Sequence, residues 1–247
     1  MKRKTKRLRE QLDLYDVQPF IATAPCVSAL REAVKSWKEG GYKGATDTTR
    51  ELLNYWFLSD HRLPNGRQFH YYDSQREAIE TLIYVYEIAK VRIRKELIQR
   101  FAMATKDLRL PPYDDFARYC VKMATGSGKT KVMSLAIVWH YFNAVRENDE
   151  DYAKTFLLLA PNVIVFERLR KDFAGGNIFK VDPLFPKHFE MFWDFECYMR
   201  DEGERAYSEG ALFLTNIQQF YEREQRTTED EPDAMTAVLG AKPGSND

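Results

Sequence analysis

Ala117-Arg-Tyr-Cys-Val-Lys-Met-Ala-Thr-Gly-Ser-Gly-Lys-Thr130 is an apolar run that empties into a glycine-rich turn and then into a helical pattern. From Lys129 to about Arg146, Val132, Leu135, Ala136, Trp139 and Phe142 recur at helical spacing. Strand, tight turn and helix in that order make a phosphate-binding loop. The chain stops a strand, exposes consecutive N–H groups in a concave nest, and enters a helix whose positive end faces an anion. Gly126 and Gly128 permit the backbone angles that such a turn demands. Lys129 is expected to reach the β- and γ-phosphates of a nucleoside triphosphate, and the Thr130 hydroxyl to ligate Mg²⁺. Thr125 and Ser127 complete the cradle. The general pattern asks for glycine five positions before Gly128, where this chain has Met123.

Composition excludes little. The chain has 247 residues, 44% hydrophobic and 30% charged, which is ample to bury a core. Thirty-seven basic residues balance 37 acidic ones, so no global field announces a nucleic-acid partner, and any such binding rests on local patches. The basic opening, Met1-Lys-Arg-Lys-Thr-Lys-Arg-Leu-Arg9, is interrupted by Glu10, Asp13 and Asp16 before a signal-peptide core can develop. It reads as a solvated terminus, and no run is long enough to cross a bilayer. Three widely spaced cysteines and four scattered histidines point to a reduced, cytoplasmic protein without structural zinc.

Along the chain, Val27, Leu30, Val34 and Trp37 form one helical face stopped by Gly40-Gly41. Thr48-Thr-Arg-Glu51 can cap a second helix carrying Leu52, Leu53, Trp56 and Phe57. The two are expected to pair as a small helical appendage with its own core. The turn-rich stretch Asp60–Gln68 reads as a linker, giving an appendage over 1–68 and a main domain over 69–247. A long helix with Ala78, Ile79, Leu82, Ile83 and Tyr86 on one face runs on toward Phe101 through the basic stretch Arg92-Ile-Arg-Lys95, and Pro111-Pro112 end any helix there. After the loop, Thr155–Leu159 reads as a strand, Ala160-Pro-Asn162 as its turn and Val163–Phe173 as its helix. Phe189–Trp193 and Ala211–Thr215 read as further strands, the second leading into a helix over 216–221. Strands alternating with helices predict an α/β fold with a doubly wound parallel sheet. From Arg226 the tail reads as loop.

Met123-Ala-Thr-Gly-Ser-Gly-Lys-Thr130 resembles motif I of superfamily 2 helicases, particularly the motor subunits of restriction enzymes. Gln75, within Phe69-His-Tyr-Tyr-Asp-Ser-Gln-Arg-Glu-Ala-Ile79, is similar to the Q motif of those enzymes, whose glutamine reads adenine through a donor and acceptor pair. Ala160-Pro-Asn162 looks like motif Ia, and Leu214-Thr-Asn-Ile217 like a later strand-end motif. The resemblance covers residues 69 to about 221. It implies a RecA-like first motor domain that binds ATP and Mg²⁺, with Lys129 and Thr130 in the catalytic machinery and Gln75 on adenine. It further implies DNA as partner, held sequence-independently through its backbone by Pro161, Asn162, Thr215 and Asn216, beside a modification or specificity subunit. Helix capping is the competing use of Asn162 and Thr215.

The family's motif II, a strand ending in Asp-Glu-Ala-His or a relative, does not occur, since Asp230-Glu-Pro-Asp233 lacks both the preceding strand and the histidine. The sequence therefore looks like an incomplete first motor domain, expected to be inactive alone. A small-substrate P-loop kinase, a transporter-type NTPase and a non-catalytic nucleotide-binding scaffold remain open as alternatives.

Overall fold

The computed structural model describes residues 26–102, 116–200 and 206–218. The basic opening, Pro111-Pro112, the tail from Arg226 and residues 219–221 of the helix expected over 216–221 lie outside them. The described residues within Met1–Ala45 and Asp73–Ser127 form one compact unit, and those within Thr46–Tyr72 and Gly128–Asp247 form another. The chain thus passes between units at 45/46, 72/73 and 127/128, the last point falling inside the phosphate loop.

In the first unit, α1 (Val27–Glu39) buries Leu30, Val34 and Trp37, and the chain reverses at Gly41, whose φ is 71°. Helix α3 (Asp73–Ile83) runs into a π-helical turn over Tyr84–Ile88, closed by Ala89 N–H to the Tyr84 carbonyl at 2.8 Å. Lys90, at φ 50°, then breaks the chain before α4 (Arg94–Phe101). The single long helix expected here is therefore two helices. The core gathers Cys26, Leu30, Val85, Ala89 and Val91, with Leu97, Ile98, Phe101 and Tyr119 packed on it. Residues 117–123 carry no strand pairing, and Val121 is 43% exposed, so the strand expected before the loop is absent from the described structure. With polar or charged Arg118, Tyr119 and Lys122 interleaved, this stretch buries too little apolar surface to demand a sheet.

In the second unit, α2 (Asp47–Leu58) is capped by Thr46, which accepts from Thr49 N–H at 3.0 Å. The cap falls earlier than the Thr48 box expected, because Thr48 and Thr49 are fully buried: the Thr48 hydroxyl donates to Glu147, and the Thr49 hydroxyl to Asn143 Oδ1 at 3.3 Å. Both acceptors belong to or follow α5 (Lys129–Arg146), on which α2 packs. In place of one core shared by the first two helices there are two packings, α1 on α3 and α2 on α5. A short ribbon joins β1 (His61–Arg62) to β2 (Gln68–Phe69).

The sheet of this unit contains β3 (Thr155–Ala160), β4 (Phe195–Met199) and β5 (Gly210–Asn216), all parallel, with β5 central. Helix α6 (Val163–Phe173) follows β3, and α7 (Asn177–Val181) comes after a short 3₁₀ turn. Parallel strands with helices between β3 and β4 make this an α/β arrangement; the sheet has three strands among the described residues. The strand expected at Phe189–Trp193 is instead a 3₁₀ segment, Lys187–Phe192. Pro186 leads into it, and Phe189 is fully buried against Phe142 with ring centroids 4.7 Å apart, which a turn satisfies as well as a strand. Tyr141 pins the following chain, donating to the Phe192 carbonyl at 2.7 Å and accepting from Asp194 N–H at 3.0 Å. Gly210 is obligatory beside it, because a Cβ there would lie 2.4 Å from the Tyr141 ring.

Candidate nucleotide-binding loop

The chain turns over residues 125–127, with Ser127 N–H donating to the Ala124 carbonyl at 3.4 Å and the Ser127 hydroxyl to the same oxygen at 2.7 Å. Gly126 and Gly128 take φ values of 79° and 80°, the left-handed region that side chains rarely adopt. A Cβ at Gly126 would meet nothing within 4 Å, so the requirement there is conformational rather than steric. Gly128 is then the N-cap of α5 and offers no side-chain acceptor. The helix start has no side-chain cap and its positive end favours an anion, with Lys129 exposed and Thr130 half-buried in its first turn. This fits a phosphate group. Mg²⁺ takes mostly phosphate and water oxygens, and the Thr130 hydroxyl stands in this first turn as one oxygen ligand it could use.

Gln75 sits on α3, only 4% exposed, and its Nε2 donates to the Ser127 carbonyl at 3.0 Å. The sequence points Gln75 at a base; the structure shows it bonded to the loop itself. Helix α3 is held in turn by a buried network. Tyr42 donates to Glu80 at 2.5 Å, and Arg76 donates to Glu80 at 2.7 Å and to the Tyr42 oxygen at 2.9 Å. Burial first, and then the bond to Glu80, push the Tyr42 phenol up to about 12, so it keeps its proton and donates at neutral pH. The spacing of Arg76 and Glu80, four apart on a helix, is visible in the sequence; the contact with Tyr42 is not, because it closes across 38 residues. In the second unit Lys131, on the first turns of α5, pairs with the buried Asp182. No pattern in the sequence announces that pair either.

The two turns expected to grip nucleic acid are brought together. Leu159 pairs with Thr215 and Ala160 with Asn216 at the carboxyl ends of neighbouring parallel strands, and Ile217 N–H donates to the Ala160 carbonyl at 2.9 Å. Ligands of open α/β sheets bind at this edge. Pro161 and Asn162 are exposed, Thr215 is half-buried and Asn216 is 1% exposed. Asn162 caps α6, accepting from Val165 N–H at 2.9 Å.

Residues 68–239, well over half of the chain, match the family described as type III restriction enzyme, res subunit. No curated protein and no solved structure matches the chain. The family is one of helicase-like, ATP-dependent proteins that act on DNA, which sets aside the small-substrate kinase and the transporter ATPase. Among the described residues, no helix is long and apolar enough to cross a membrane. Loop, brace and strand-end turns thus occur in a sequence that the family match spans from the linker onward, and the chain belongs to the type III restriction enzyme Res subunit family.

Proposed function

We propose that this chain supplies the ATP-gripping portion of a DNA-translocating motor. Thr125, Gly126, Ser127, Gly128 and Lys129 cradle the triphosphate, Thr130 holds Mg²⁺ against it, and Lys129 neutralises charge on the β- and γ-phosphates. The observation that carries the reading is the pair of left-handed glycines before an uncapped 18-residue helix beginning Lys129-Thr130. Gln75 recognises adenine and, through its bond to the Ser127 carbonyl, ties base recognition to loop geometry. Pro161, Asn162, Thr215 and Asn216 place main-chain groups of the strand-end turns on the DNA backbone. The side chain of Asn162 serves the same end by holding the α6 N-terminus in place.

Residues 69–247 form part of the first motor module, preceded by residues 1–68, and the start of the family match at residue 68 supports a boundary there. Hydrolysis requires an oriented water, a second grip on the metal and a cation opposite the loop. The run Asp-Glu-Ala-His does not occur in the sequence, and on this reading the polypeptide binds ATP without useful turnover, with a modification subunit supplying recognition in the assembled enzyme.

Adenine choice gives the test. The Gln75 carboxamide can pair with N6 and N7 of adenine together, whereas guanine presents two acceptors on that edge. Gln75→Ala narrows the preference for ATP over GTP in a competition titration and weakens both nucleotides somewhat, since the loop loses its brace. A preference that survives unchanged would restrict Gln75 to a structural part.

A further inference from the structure

Tyr42 carries a bulky side chain on a backbone that bulky side chains avoid. Its φ is 57°, between Gly41 at 71° and Gly44 at 88°, in the left-handed region that is unfavourable for any residue with a Cβ. Such a conformation persists only where the surroundings over-determine it. Here they do. The Tyr42 ring meets Trp37 edge-on at 4.9 Å, and the hydroxyl is delivered, buried, to Glu80 and Arg76 on α3. Glycine would relieve the backbone at this position and lose every one of these contacts.

The three side chains close a triangle. Tyr42 donates to Glu80 Oε1 at 2.5 Å, Arg76 Nε donates to the same oxygen at 2.7 Å, and a terminal nitrogen of Arg76 donates to the Tyr42 oxygen at 2.9 Å. Glu80 is 3% exposed and Tyr42 5%. Apolar side chains would pack in these places without taking a charge out of water, so a buried ion pair is not explained by stability alone. What hydrogen bonds add is direction. Bonds joining the Tyr42 turn to α3 are all satisfied together in a narrow range of helix rotation. Successive residues lie roughly 100° apart around a helix, so the rotation that brings Arg76 and Glu80 to Tyr42 also sets where Gln75 points. It points at the Ser127 carbonyl, 3.0 Å away. Regular continuation of α3 does not fix that rotation from the far end, because after Ile83 the helix gives way to the π-helical turn Tyr84–Ile88.

We propose that Tyr42, Arg76 and Glu80 are positioning residues for the glycine loop: they lock the rotation of α3, and through the Gln75–Ser127 bond they hold the loop in its binding shape. This deepens the nucleotide-binding reading above and rests on it. The three act without touching the nucleotide, by way of one amide and one carbonyl.

The test follows the Gln75 side-chain amide in ¹⁵N-edited spectra of the full chain, assigned by its loss in Gln75→Ala, together with titration of a fluorescent ATP analogue. Tyr42→Phe removes one hydroxyl and keeps the ring on Trp37, and Glu80→Gln keeps the shape and one acceptor oxygen. Both should move the Gln75 amide resonances toward those of a solvated glutamine and speed their exchange with water. Val91→Ala, which opens the core of the same unit, should lower the melting temperature and leave those resonances in place. Tyr42→Phe should weaken the analogue about 2- to 10-fold, the span of one net hydrogen bond. Gln75→Ala/Tyr42→Phe should bind it no more weakly than Gln75→Ala, because the network acts through Gln75. Gln75 resonances unmoved by both network variants, or losses that add in the double variant, would reduce the network to a clasp between two elements and overturn the proposal. Equal movement of those resonances in Val91→Ala would do the same. A wild-type chain that fails to bind the analogue, with its Gln75 amide still responding to Tyr42→Phe, would overturn the nucleotide reading while the positioning of Gln75 stands, so the two failures are distinguishable.

Discussion

Lys129→Ala lowers affinity for ATP·Mg²⁺ roughly 10- to 100-fold. A charged hydrogen bond contributes about 1.5–3 kcal/mol, and each 1.4 kcal/mol is a tenfold change. The effect falls in the upper part of that range, because the helix N-terminus has no side-chain cap and the loop's N–H groups only partly offset the triphosphate charge. Titration with a fluorescent ATP analogue reads it directly. Lys129 is exposed, so the variant should keep its melting temperature, which separates loss of a phosphate ligand from loss of fold. Lys129→Arg, which keeps the charge but not the compact ammonium, should recover part of the affinity.

Trp139→Ala destabilises the second unit by about 3–5 kcal/mol, the range for deleting a large buried aromatic. Trp139 is fully buried on α5, its Nε1 donates to the Thr49 hydroxyl at 3.0 Å, and its ring meets Tyr152 edge-on at 5.6 Å. Removing it opens a cavity, leaves the Thr49 hydroxyl short of a donor and loosens α2 from the phosphate-loop helix. For a chain of this size the melting temperature should fall by roughly 6–20 °C. Trp139→Phe keeps most of the volume and should cost less. A shift within about 2 °C for the alanine variant would mean that α5 does not form the centre of this unit.

The elements legible in the sequence are those whose pattern depends on burial alone. Val163–Phe173 begins after an asparagine that caps it, and Thr155–Ala160 and Gly210–Asn216 are apolar runs too short for helices and placed in a parallel sheet. Phe189 shows the limit of that signal. An aromatic run reports that side chains go inside but not through which backbone, and here a 3₁₀ turn after Pro186 does the work assigned to a strand. Thr48 shows another: a threonine that looks like a cap is consumed by Glu147, 99 residues away, and the cap shifts to Thr46. Within the site, the glycine loop and its helix are local, and so they are readable. The Gln75–Ser127 bond, the Tyr42–Arg76–Glu80 network and the Lys131–Asp182 pair close over 34 to 52 residues, and no local pattern encodes such partners.

The central claim is that the loop after Met123 holds the triphosphate. Backbone amide resonances of the full chain, followed during titration with a non-hydrolysable ATP analogue and Mg²⁺, test it most directly. The largest shifts should fall on Thr125 to Lys131, where loop and helix N–H groups meet phosphate, with a smaller response at Gln75. Saturable binding whose largest shifts lie elsewhere, with the amides of Gly126, Gly128 and Lys129 unmoved, would contradict it.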